Sequence, residues 1–432
     1  MLFRSLHYDA ARSREEVLAA HRAFGARFGG CGEDLARRFD NLPDPERRLR
    51  IGYISPDFRA HSVAFFATAL FEHRGHGPIK TFAYSLSATR DTFSSWFAEE
   101  ADHWREVSRL TPDEIRARIA EDRIDILVDL AGHTGNNGLA AMHRRAAPVQ
   151  ATYLGYPDTI GMSEIDYRIV DAITDPPGEA DALATETLIR LPRVFIAYRP
   201  EPGRDAVSDG PMASAAPFTF GTFNTALKFN DRTFDAWAAI LRGAPAARLL
   251  LKAQQFESAS ARAWIADAFA ARGVPPERLA LVGHARTIGD HLGLYREIDL
   301  ALDTFPYNGT TTTCEALSMG VPVLAKRGEL HMSRVSESML GALGIDPVFL
   351  ADDTADYVRR AIGWAGRRAE LSAMRPEIHR RLVSSMLCDE AGLVRDLEAE
   401  YRRMWRTWCA SGPRCGLGPS PFERELAACA RI

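Results

Sequence analysis

The sequence predicts an α/β protein with two doubly wound domains, and three observations lead to this prediction. From Leu49 onward, short apolar or β-branched runs alternate with helical stretches, as in a parallel sheet flanked by helices. The alternation stops in a stretch rich in Pro, Gly and Ser around residues 199–217, and then restarts. The chain has 432 residues, which is enough for two or three domains that each bury a core.

Composition excludes several functional classes. Hydrophobic residues make up 46% and charged residues 25%, the usual mixture of a globular enzyme. Lys and Arg number 53 against 57 Asp and Glu, a net charge of −4, so we expect neither a nucleic-acid partner nor an anionic membrane. No run approaches the roughly 20 apolar residues of a membrane span. Six separated cysteines without a C-x-x-C pair favour a reducing cytoplasm over a disulfide framework or zinc site.

The N-terminal half begins with an extension, residues 1–46, in which an amphipathic helix over 15–28 precedes a polar connector. The first domain is expected over residues 47–205. Its predicted strands lie within 49–55, 79–87, 124–132, 148–155 and 166–172, with helices over 61–74 and 111–123.

The second domain is expected over residues 206–385, and a C-terminal helix and tail over 386–432. Tyr401, Met404, Trp405 and Trp408 recur at helical spacing in that helix, which indicates a packing face. Ligands of such sheets bind beyond the carboxyl ends of the strands, so a cleft between two facing domains is the expected site. The predicted strands of the second domain lie within 218–224, 247–253, 279–284, 299–305 and 321–326, with helices over 231–243 and 260–273.

The most informative segment is DTFPYNGTTTTCEAL, residues 303–317. A strand runs into a turn with Asn308 and Gly309, and four threonines then open an apolar helix. Unpaired backbone N–H groups, hydroxyls and the positive end of the helix dipole together suit a diphosphate. A plain helix cap is the alternative, but it needs one threonine only. Glu315 lies one turn further on, where a sugar or ribose hydroxyl is its expected partner. The four threonines are Thr310, Thr311, Thr312 and Thr313.

Asn224 and Lys228 follow the first strand of the second domain, in GTFNTALKFN. A lysine at the carboxyl end of a strand can neutralise the charge that develops on a departing phosphate. Most lysines are merely solvated, but this one belongs to the same predicted sheet as the threonine helix. His291, in a later turn, has a flat ring that can stack on a nucleobase, although a structural role is the alternative.

Two segments of the first domain carry polar groups after strands. His61, in SPDFRAHSVAFF, stands at a helix start, where the dipole favours a neutral imidazole that accepts protons or hydrogen bonds. Simple helix capping is the alternative. His133 and Thr134, in DLAGHTGNN, suit a sugar-hydroxyl pocket, although Asn and Gly are also plain turn formers. Tyr156 and Pro157 are expected to line the same side, with packing of the aromatic ring as the alternative.

Familiar motifs are absent. The sequence contains no G-x-G-x-x-G, no P-loop and no D-x-D, and no His, Cys or Asp cluster has metal-ligand spacing. We therefore expect no metal and no cofactor. A bound diphosphate would be neutralised by lysine, backbone N–H groups and hydroxyls.

Taken together and in order, SPDFRAHSVAFF, DLAGHTGNN, APVQATYLGYPDTIGMSEIDYRIVDAITDPP, GTFNTALK and DTFPYNGTTTTCEALSMGVPVL resemble the catalytic region of the O-GlcNAc transferase and SPINDLY family of protein glycosyltransferases. The resemblance runs from about residue 50 to about residue 350. It implies the GT-B architecture of two Rossmann-like domains facing a cleft, a nucleotide-sugar donor, no metal, and inversion at the anomeric carbon.

The resemblance also implies roles for individual residues. Lys228 matches the lysine that contacts the donor diphosphate, and Thr311 and Thr312 match donors to the same group. His291 matches the histidine that stacks on the base, and Glu315 an acidic residue near the ribose. His61 matches a cleft histidine proposed as the catalytic base, whose identity is disputed in the family.

The sequence also departs from the family pattern. Only about 46 residues precede the catalytic region, where relatives carry tetratricopeptide repeats, and Thr225 stands where relatives often have Gln or Asn. The leading hypothesis is a cytoplasmic enzyme that transfers GlcNAc from UDP-GlcNAc to Ser or Thr hydroxyls of polypeptides. A SPINDLY-like O-fucosyltransferase using GDP-fucose is the nearest alternative. A catalytically silent nucleotide-binding or scaffold protein, and a transferase to small molecules or lipids, are the others.

Overall fold

The structure, a computed structural model, describes residues 2–9, 11–28, 39–75, 77–201 and 216–411. The chain divides into two compact units. Unit 1 comprises residues 1–6, 12–199 and 389–432, and unit 2 comprises residues 7–11 and 200–388. The predicted boundary segment 199–217 and the predicted tail lie largely outside the described residues. In the part of the chain that is described, no helix combines the length and apolarity needed to cross a membrane.

Unit 1 contains a sheet of seven parallel strands in the order β3-β2-β1-β4-β5-β6-β7. The strands are β1 (Leu49–Ser55), β2 (Ile79–Ser85), β3 (His103–Glu106), β4 (Ile126–Asp129), β5 (Val149–Tyr153), β6 (Tyr167–Asp171) and β7 (Thr187–Leu191). Its helices are α1 (Leu2–Leu6), α2 (Arg14–Phe28), α3 (Ser62–Glu72), α4 (Thr92–Glu100), α5 (Pro112–Glu121), α6 (Leu139–Met142) and, from the C-terminal end of the chain, α15 (Glu390–Ser411).

Unit 2 contains a sheet of six parallel strands in the order β10-β9-β8-β11-β12-β13. The strands are β8 (Thr219–Thr222), β9 (Arg248–Lys252), β10 (Leu279–Val282), β11 (Leu300–Leu302), β12 (Val323–Lys326) and β13 (Leu350–Ala351). The helices are α7 (Asp231–Gly243), α8 (Ala259–Ala270), α9 (Ile288–Gly293), α10 (Thr311–Ser318), α11 (His331–Ala342), α12 (Asp346–Phe349), α13 (Thr354–Ala365) and α14 (Arg368–Ser384).

Both sheets have the doubly wound strand order, in which the chain reverses direction across the sheet after the third strand. The reversal places a topological switch point between β1 and β4 in unit 1, and between β8 and β11 in unit 2. The predicted α/β class with two doubly wound sheets is therefore confirmed. Ligands of open α/β sheets bind at such switch points, beyond the carboxyl ends of the strands.

The predicted strands all form, but three observed strands have no counterpart in the prediction. β3 and β7 lie at the two edges of the first sheet, and β13 lies at an edge of the second. Edge strands face solvent on one side, so an edge strand can form without the apolar run of a central strand. β3 reads HWRE and is only partly buried, and β13 has two residues.

The C-terminal helix packs in unit 1 through the predicted aromatic stripe. Tyr401, Met404, Trp405 and Trp408 are all buried. The indole N–H of Trp405 donates to the Asp44 carbonyl at 2.9 Å. This confirms that the stripe is a packing face.

Helix α2 approaches the body of unit 1 closely because two glycines face each other. A Cβ on Gly25 would stand 1.6 Å from the carbonyl oxygen of Gly161, and a Cβ on Gly161 would stand 2.1 Å from that of His21. Gly161 also has a φ of +80°, which side chains disfavour. The contact therefore depends on glycine at both positions.

Candidate active site

The two segments of unit 2 with the strongest chemical signals follow the two strands that flank its switch point. β8 leads into Asn224 and a 3₁₀ turn at Ala226–Lys228, and β11 leads through residues 303–310 into α10. The strands pair directly, with Ala301 opposite Gly221. Because both are parallel, their carboxyl ends meet at the same edge of the sheet. The fold thus brings together segments that lie far apart in the sequence.

Lys228 lies between these two segments. Its Nζ donates to the Asn308 carbonyl oxygen at 2.5 Å and to Asn224 Oδ1 at 3.2 Å. The ring centroid of Tyr307 lies 4.3 Å from the same nitrogen, within the range of a cation–π contact. The side chain is only partly buried. The ammonium group is therefore held in place while part of it stays accessible.

Asn224 links the lysine to the threonine helix. Thr312 Oγ1 donates to Asn224 Oδ1 at 3.2 Å, the same oxygen that accepts from Lys228. The amide nitrogen of Asn224 lies 3.3 Å from Thr222 Oγ1 and 3.4 Å from Asp303 Oδ1. The predicted proximity of Lys228 to the helix start is confirmed.

The four threonines are not equivalent. Thr310 is the residue before α10, and its side chain makes no capping hydrogen bond. Thr313 is buried, and its hydroxyl donates to the Gly309 carbonyl at 3.1 Å. Thr311 and Thr312 are partly exposed at the first turn, where helix backbone N–H groups have no intrahelical acceptor. The side chains of Thr311 and Thr312 and the first-turn N–H groups can therefore contact an anion, whereas Thr313 fixes the turn.

The Asp303 carboxylate stabilises the turn before α10 by accepting hydrogen bonds. It accepts from the Gly309 N–H at 2.7 Å, from Ser336 Oγ at 2.6 Å and from the Thr304 N–H at 2.9 Å. Burial raises the pKa of Asp303 to about 6, although these hydrogen bonds and Lys228 oppose the rise. A Cβ on Gly309 would stand 2.4 Å from Thr312 Oγ1. Glycine at this position therefore leaves room for that hydroxyl.

His291 and Glu315 form a pair at the side of α10. His291 Nε2 lies 2.8 Å from Glu315 Oε2, and the Tyr295 hydroxyl donates to the same carboxylate oxygen at 3.1 Å. The other ring nitrogen of His291 is buried without a partner in the described part of the chain. The predicted nucleobase and ribose residues are thus neighbours, and Tyr295 connects them to the first turn of α10 through the Thr312 carbonyl at 3.1 Å.

A small pocket lies at the switch point of unit 2. Backbone and side chains from β8, β11 and α10 line it. Its polar lining residues are Thr222, Asn224, Tyr295, Asp303, Thr312 and Thr313. Asn224, Thr312 and Thr313 are the lining residues that the sequence singles out.

Lysine is scarce in this chain and concentrated at this edge. Only four lysines occur, Lys80, Lys228, Lys252 and Lys326. The last three follow or end β8, β9 and β12 of unit 2. Burial lowers the pKa of Lys252 and of Lys326. Three of the four lysines thus lie at the carboxyl edge of this sheet.

In unit 1, His61 follows β1 at the switch point and is the N-cap residue of α3. Its Nδ1 accepts from the Val63 N–H at 3.2 Å and lies 3.5 Å from Asp57 Oδ1. The predicted place at a helix start is confirmed, and so is the capping contact that was the alternative. A neutral ring that accepts at Nδ1 carries its proton on Nε2. A role as a base would therefore require the other tautomer.

His133 and Tyr156 are packed inside unit 1. His133 Nε2 donates to the Ile160 carbonyl at 2.8 Å, and its ring stacks on Phe3 at 4.3 Å. The Tyr156 hydroxyl lies 2.6 Å from His21 Nε2 of α2. Both residues are buried. The structure gives them packing contacts with the N-terminal helices, and their part in binding stays a prediction.

Thr134 and Pro157 lie beside these two residues and are partly exposed. The Thr134 hydroxyl is buried and has no hydrogen-bond partner among the described residues. It follows β4, the second strand at the switch point of unit 1. Among the four residues predicted to line the sugar pocket, Thr134 is therefore the one whose hydroxyl can still hydrogen-bond to a ligand.

Sequence reasoning missed four residues that shape the unit 2 site. Asp303 and Tyr307 belong to the segment 303–317, but the sequence pattern predicts no role for either residue. Tyr295 and Ser336 lie outside it, on the 3₁₀ turn Leu294–Glu297 and on α11. An aspartate directly after a buried strand was the available signal for Asp303, whereas nothing local marks Ser336.

Comparisons with known proteins agree with this geometry. Residues 35–198 and 214–397 match the model of glycosyl transferase family 41. The probable UDP-N-acetylglucosamine–peptide N-acetylglucosaminyltransferase SPINDLY of Petunia hybrida is 37% identical over 409 residues, 94% of this chain and 44% of that protein. The corresponding SEC protein of Arabidopsis thaliana is 29% identical over 375 residues, 84% of this chain and 38% of that protein.

A solved structure is also similar along nearly the whole chain. A mutant O-GlcNAc transferase of Thermobaculum terrenum superimposes with a TM-score of 0.87 at 34% identity, covering 95% of this chain and 77% of that one. The chain spans less than half the length of the curated relatives it matches.

Proposed function

Because the chain belongs to glycosyl transferase family 41 and has its GT-B fold, we propose that it transfers N-acetylglucosamine from UDP-GlcNAc to Ser or Thr hydroxyls of polypeptides. The resemblance noted in the sequence is confirmed at the level of the family. The names of the curated relatives specify this donor and a peptide acceptor, which supports the proposal.

The observation that carries the proposal is the arrangement around Asn224. Lys228 and Thr312 both donate to Asn224 Oδ1, at the start of a helix whose first-turn N–H groups have no intrahelical acceptor. An ammonium group, hydroxyls and a helix N-terminus form an anion site that suits a nucleoside diphosphate. Glu315 lies one turn along the same helix and pairs with His291 of α9, where the nucleoside would follow.

In the proposed reaction the acceptor hydroxyl oxygen forms a bond to the anomeric carbon of the donor. The bond from that carbon to the diphosphate oxygen breaks, and its electron pair leaves with UDP. The hydroxyl proton passes to a general base. Attack opposite the leaving group inverts the anomeric centre. The positive charge of Lys228 and the α10 dipole stabilise the diphosphate as its charge grows.

We propose that this charge is balanced without a divalent metal and that no cofactor takes part. The support is the donor set itself, since one ammonium group, hydroxyls and backbone N–H groups lie together at the switch point. We also place the enzyme in the reducing cytoplasm, in agreement with the three free cysteines of the described residues. Turnover in excess EDTA should equal turnover in added Mg²⁺ or Mn²⁺.

GDP-fucose is the second candidate donor, because DLAGHTGNN and DTFPYNGTTTTCE also resemble the SPINDLY branch, for which the resemblance implies this donor. The test uses the full chain with UDP, GDP and their sugars. The favoured donor nucleotide should raise the unfolding temperature, since a ligand at 100 times its Kd adds about 2.7 kcal/mol to stability. Transfer to a mixed peptide pool should follow the same preference.

Three results of that test would count against the proposal. Binding without transfer to any peptide would favour a silent binding protein. Transfer to glycans or lipids alone would change the acceptor class. Stabilisation by GDP alone, with transfer of fucose, would change the donor.

A further inference from the structure

One tyrosine of unit 2 lies against the lysine of the anion site, and a second tyrosine stacks on the first. The Tyr307 ring centroid is 4.3 Å from Lys228 Nζ. The Tyr8 ring stacks on Tyr307, with centroids 5.6 Å apart and planes inclined by 24°. Tyr8 belongs to the short segment 7–11, which clusters with unit 2 although the residues before and after it belong to unit 1.

The backbone at Tyr307 is fixed independently of its ring. Thr304 Oγ1 donates to the Tyr307 carbonyl at 2.6 Å, and the Asn308 N–H donates to the Met332 carbonyl at 2.9 Å. Asn308 in turn offers its carbonyl to Lys228. The tight loop therefore places the aromatic ring and one hydrogen-bond acceptor next to the same ammonium group.

We propose that Tyr307 is a positioning residue for Lys228 and that Tyr8 holds Tyr307 in place. We name the two rings the tyrosine brace. A lysine side chain has a flexible four-carbon stem, and ordering it costs rotamer entropy. A ring face in contact with the ammonium group reduces the number of rotamers that the lysine side chain populates. The proposal rests on the proposed function, in which Lys228 binds the donor diphosphate.

The chemistry of the brace fits that task better than an ion pair would. A carboxylate in contact with Lys228 would cancel its charge and repel the diphosphate. The aromatic face, the Asn308 carbonyl and the Asn224 amide oxygen are formally neutral. These three contacts place no formal negative charge on the ammonium group, although the Asp303 carboxylate interacts with Lys228 through space.

The test compares Tyr307→Phe with Tyr307→Leu in the full chain, each in the wild-type background and with Lys228→Met. Affinities for UDP and GDP are measured by calorimetry, kcat and KM with the preferred nucleotide sugar, and stability by thermal unfolding. Tyr307→Phe keeps the ring face and should stay within about twofold of wild type. Tyr307→Leu should weaken nucleotide binding and lower kcat about tenfold, with a similar unfolding temperature.

The double variant separates positioning from a general structural role. If Tyr307 acts through Lys228, Tyr307→Leu should cause no further loss once Lys228→Met is present. A tenfold loss that persists in the Lys228→Met background would overturn the proposal. Equal losses in Tyr307→Phe and Tyr307→Leu would also overturn it, because the ring face would then not be the cause.

Tyr8→Ala tests the role of the Tyr8 ring. It also replaces Tyr307→Leu as the test if that variant does not fold. It should weaken nucleotide binding about threefold, and Tyr8→Phe should restore it. Unchanged binding in Tyr8→Ala would overturn the role of Tyr8. Failure of the proposed function looks different, since Lys228→Met would then bind UDP and GDP as wild type does and retain turnover.

Discussion

Lys228 and Thr312 donate to one and the same atom, Asn224 Oδ1, each at 3.2 Å. The two donors come from different segments, one after β8 and one at the start of α10. A shared acceptor fixes the distance between an ammonium group and a helix N-terminus. That relationship gives the candidate active site its chemical character.

The first prediction concerns Lys228→Met, which keeps the length of the side chain and removes its charge. Loss of one preorganised electrostatic donor typically slows turnover by a factor of about 10² to 10³, and we expect a loss of this size in steady-state transfer assays. Lys80→Met is the matched control, because Lys80 lies in unit 1 with its Nζ 6.0 Å from the Phe82 ring. Near wild-type turnover in Lys228→Met would refute the assignment.

The second prediction separates two adjacent threonines. Thr312→Val should weaken UDP binding about three- to tenfold in calorimetry, because the hydroxyl that bonds to Asn224 is lost. Thr313→Val should instead lower the free energy of unfolding by about 1 to 2 kcal/mol, because its buried hydroxyl bonds to Gly309 and contacts Ser336. Urea unfolding of both variants provides the comparison. Identical profiles for the two variants would contradict this division of roles.

The third prediction separates capping from catalysis at His61. Asparagine is a good N-cap residue but not a base at neutral pH. If His61 only caps α3, His61→Asn should retain both stability and turnover, whereas His61→Ala should lose about 1 kcal/mol of stability. We expect this outcome, because Nδ1 accepts the Val63 N–H. If His61→Asn instead slows turnover about a hundredfold or more at unchanged stability, the histidine has a proton-transfer role.

The fourth prediction follows from the raised pKa of Asp303, about 6 in the folded protein against about 3.9 in an unfolded chain. The folded state binds this proton more tightly than the unfolded chain does. The contribution of the Asp303 carboxyl to the free energy of unfolding is therefore complete below about pH 4 and is lost as the pH rises through about 6. Asp303→Asn lacks this dependence. The stability of wild type relative to the variant should therefore be about 1 to 3 kcal/mol greater at pH 4 than at pH 7.5.

Urea unfolding at several pH values checks this prediction. Asp129 of unit 1 is the companion case, because burial raises its pKa to about 6 as well, and Asp129→Asn should behave in the same way. If the difference in free energy of unfolding between wild type and Asp303→Asn does not change across this pH range, the raised pKa of Asp303 is contradicted.

Much of the candidate site could be predicted because its segments follow strands. Alternating apolar runs mark β1, β4, β8 and β11, and the polar residues after each run must lie at the carboxyl edge of a parallel sheet. The doubly wound order then places all four segments at switch points. Asp303 and Tyr295 escaped notice because an aspartate in a turn and a tyrosine in a helix are common without any function.

Sequence by itself determined the α/β class, the strand and helix positions in the interior of both sheets, and the segments that hold Lys228 and the threonines. Those features depend on local periodicity and turn chemistry, which are written in neighbouring residues. Only tertiary structure decided that Thr312 faces Asn224 while Thr313 turns inward, because successive helix residues point about 100° apart. Likewise, Tyr8, Tyr307 and Lys228 meet only through contacts between distant segments, which no local pattern encodes.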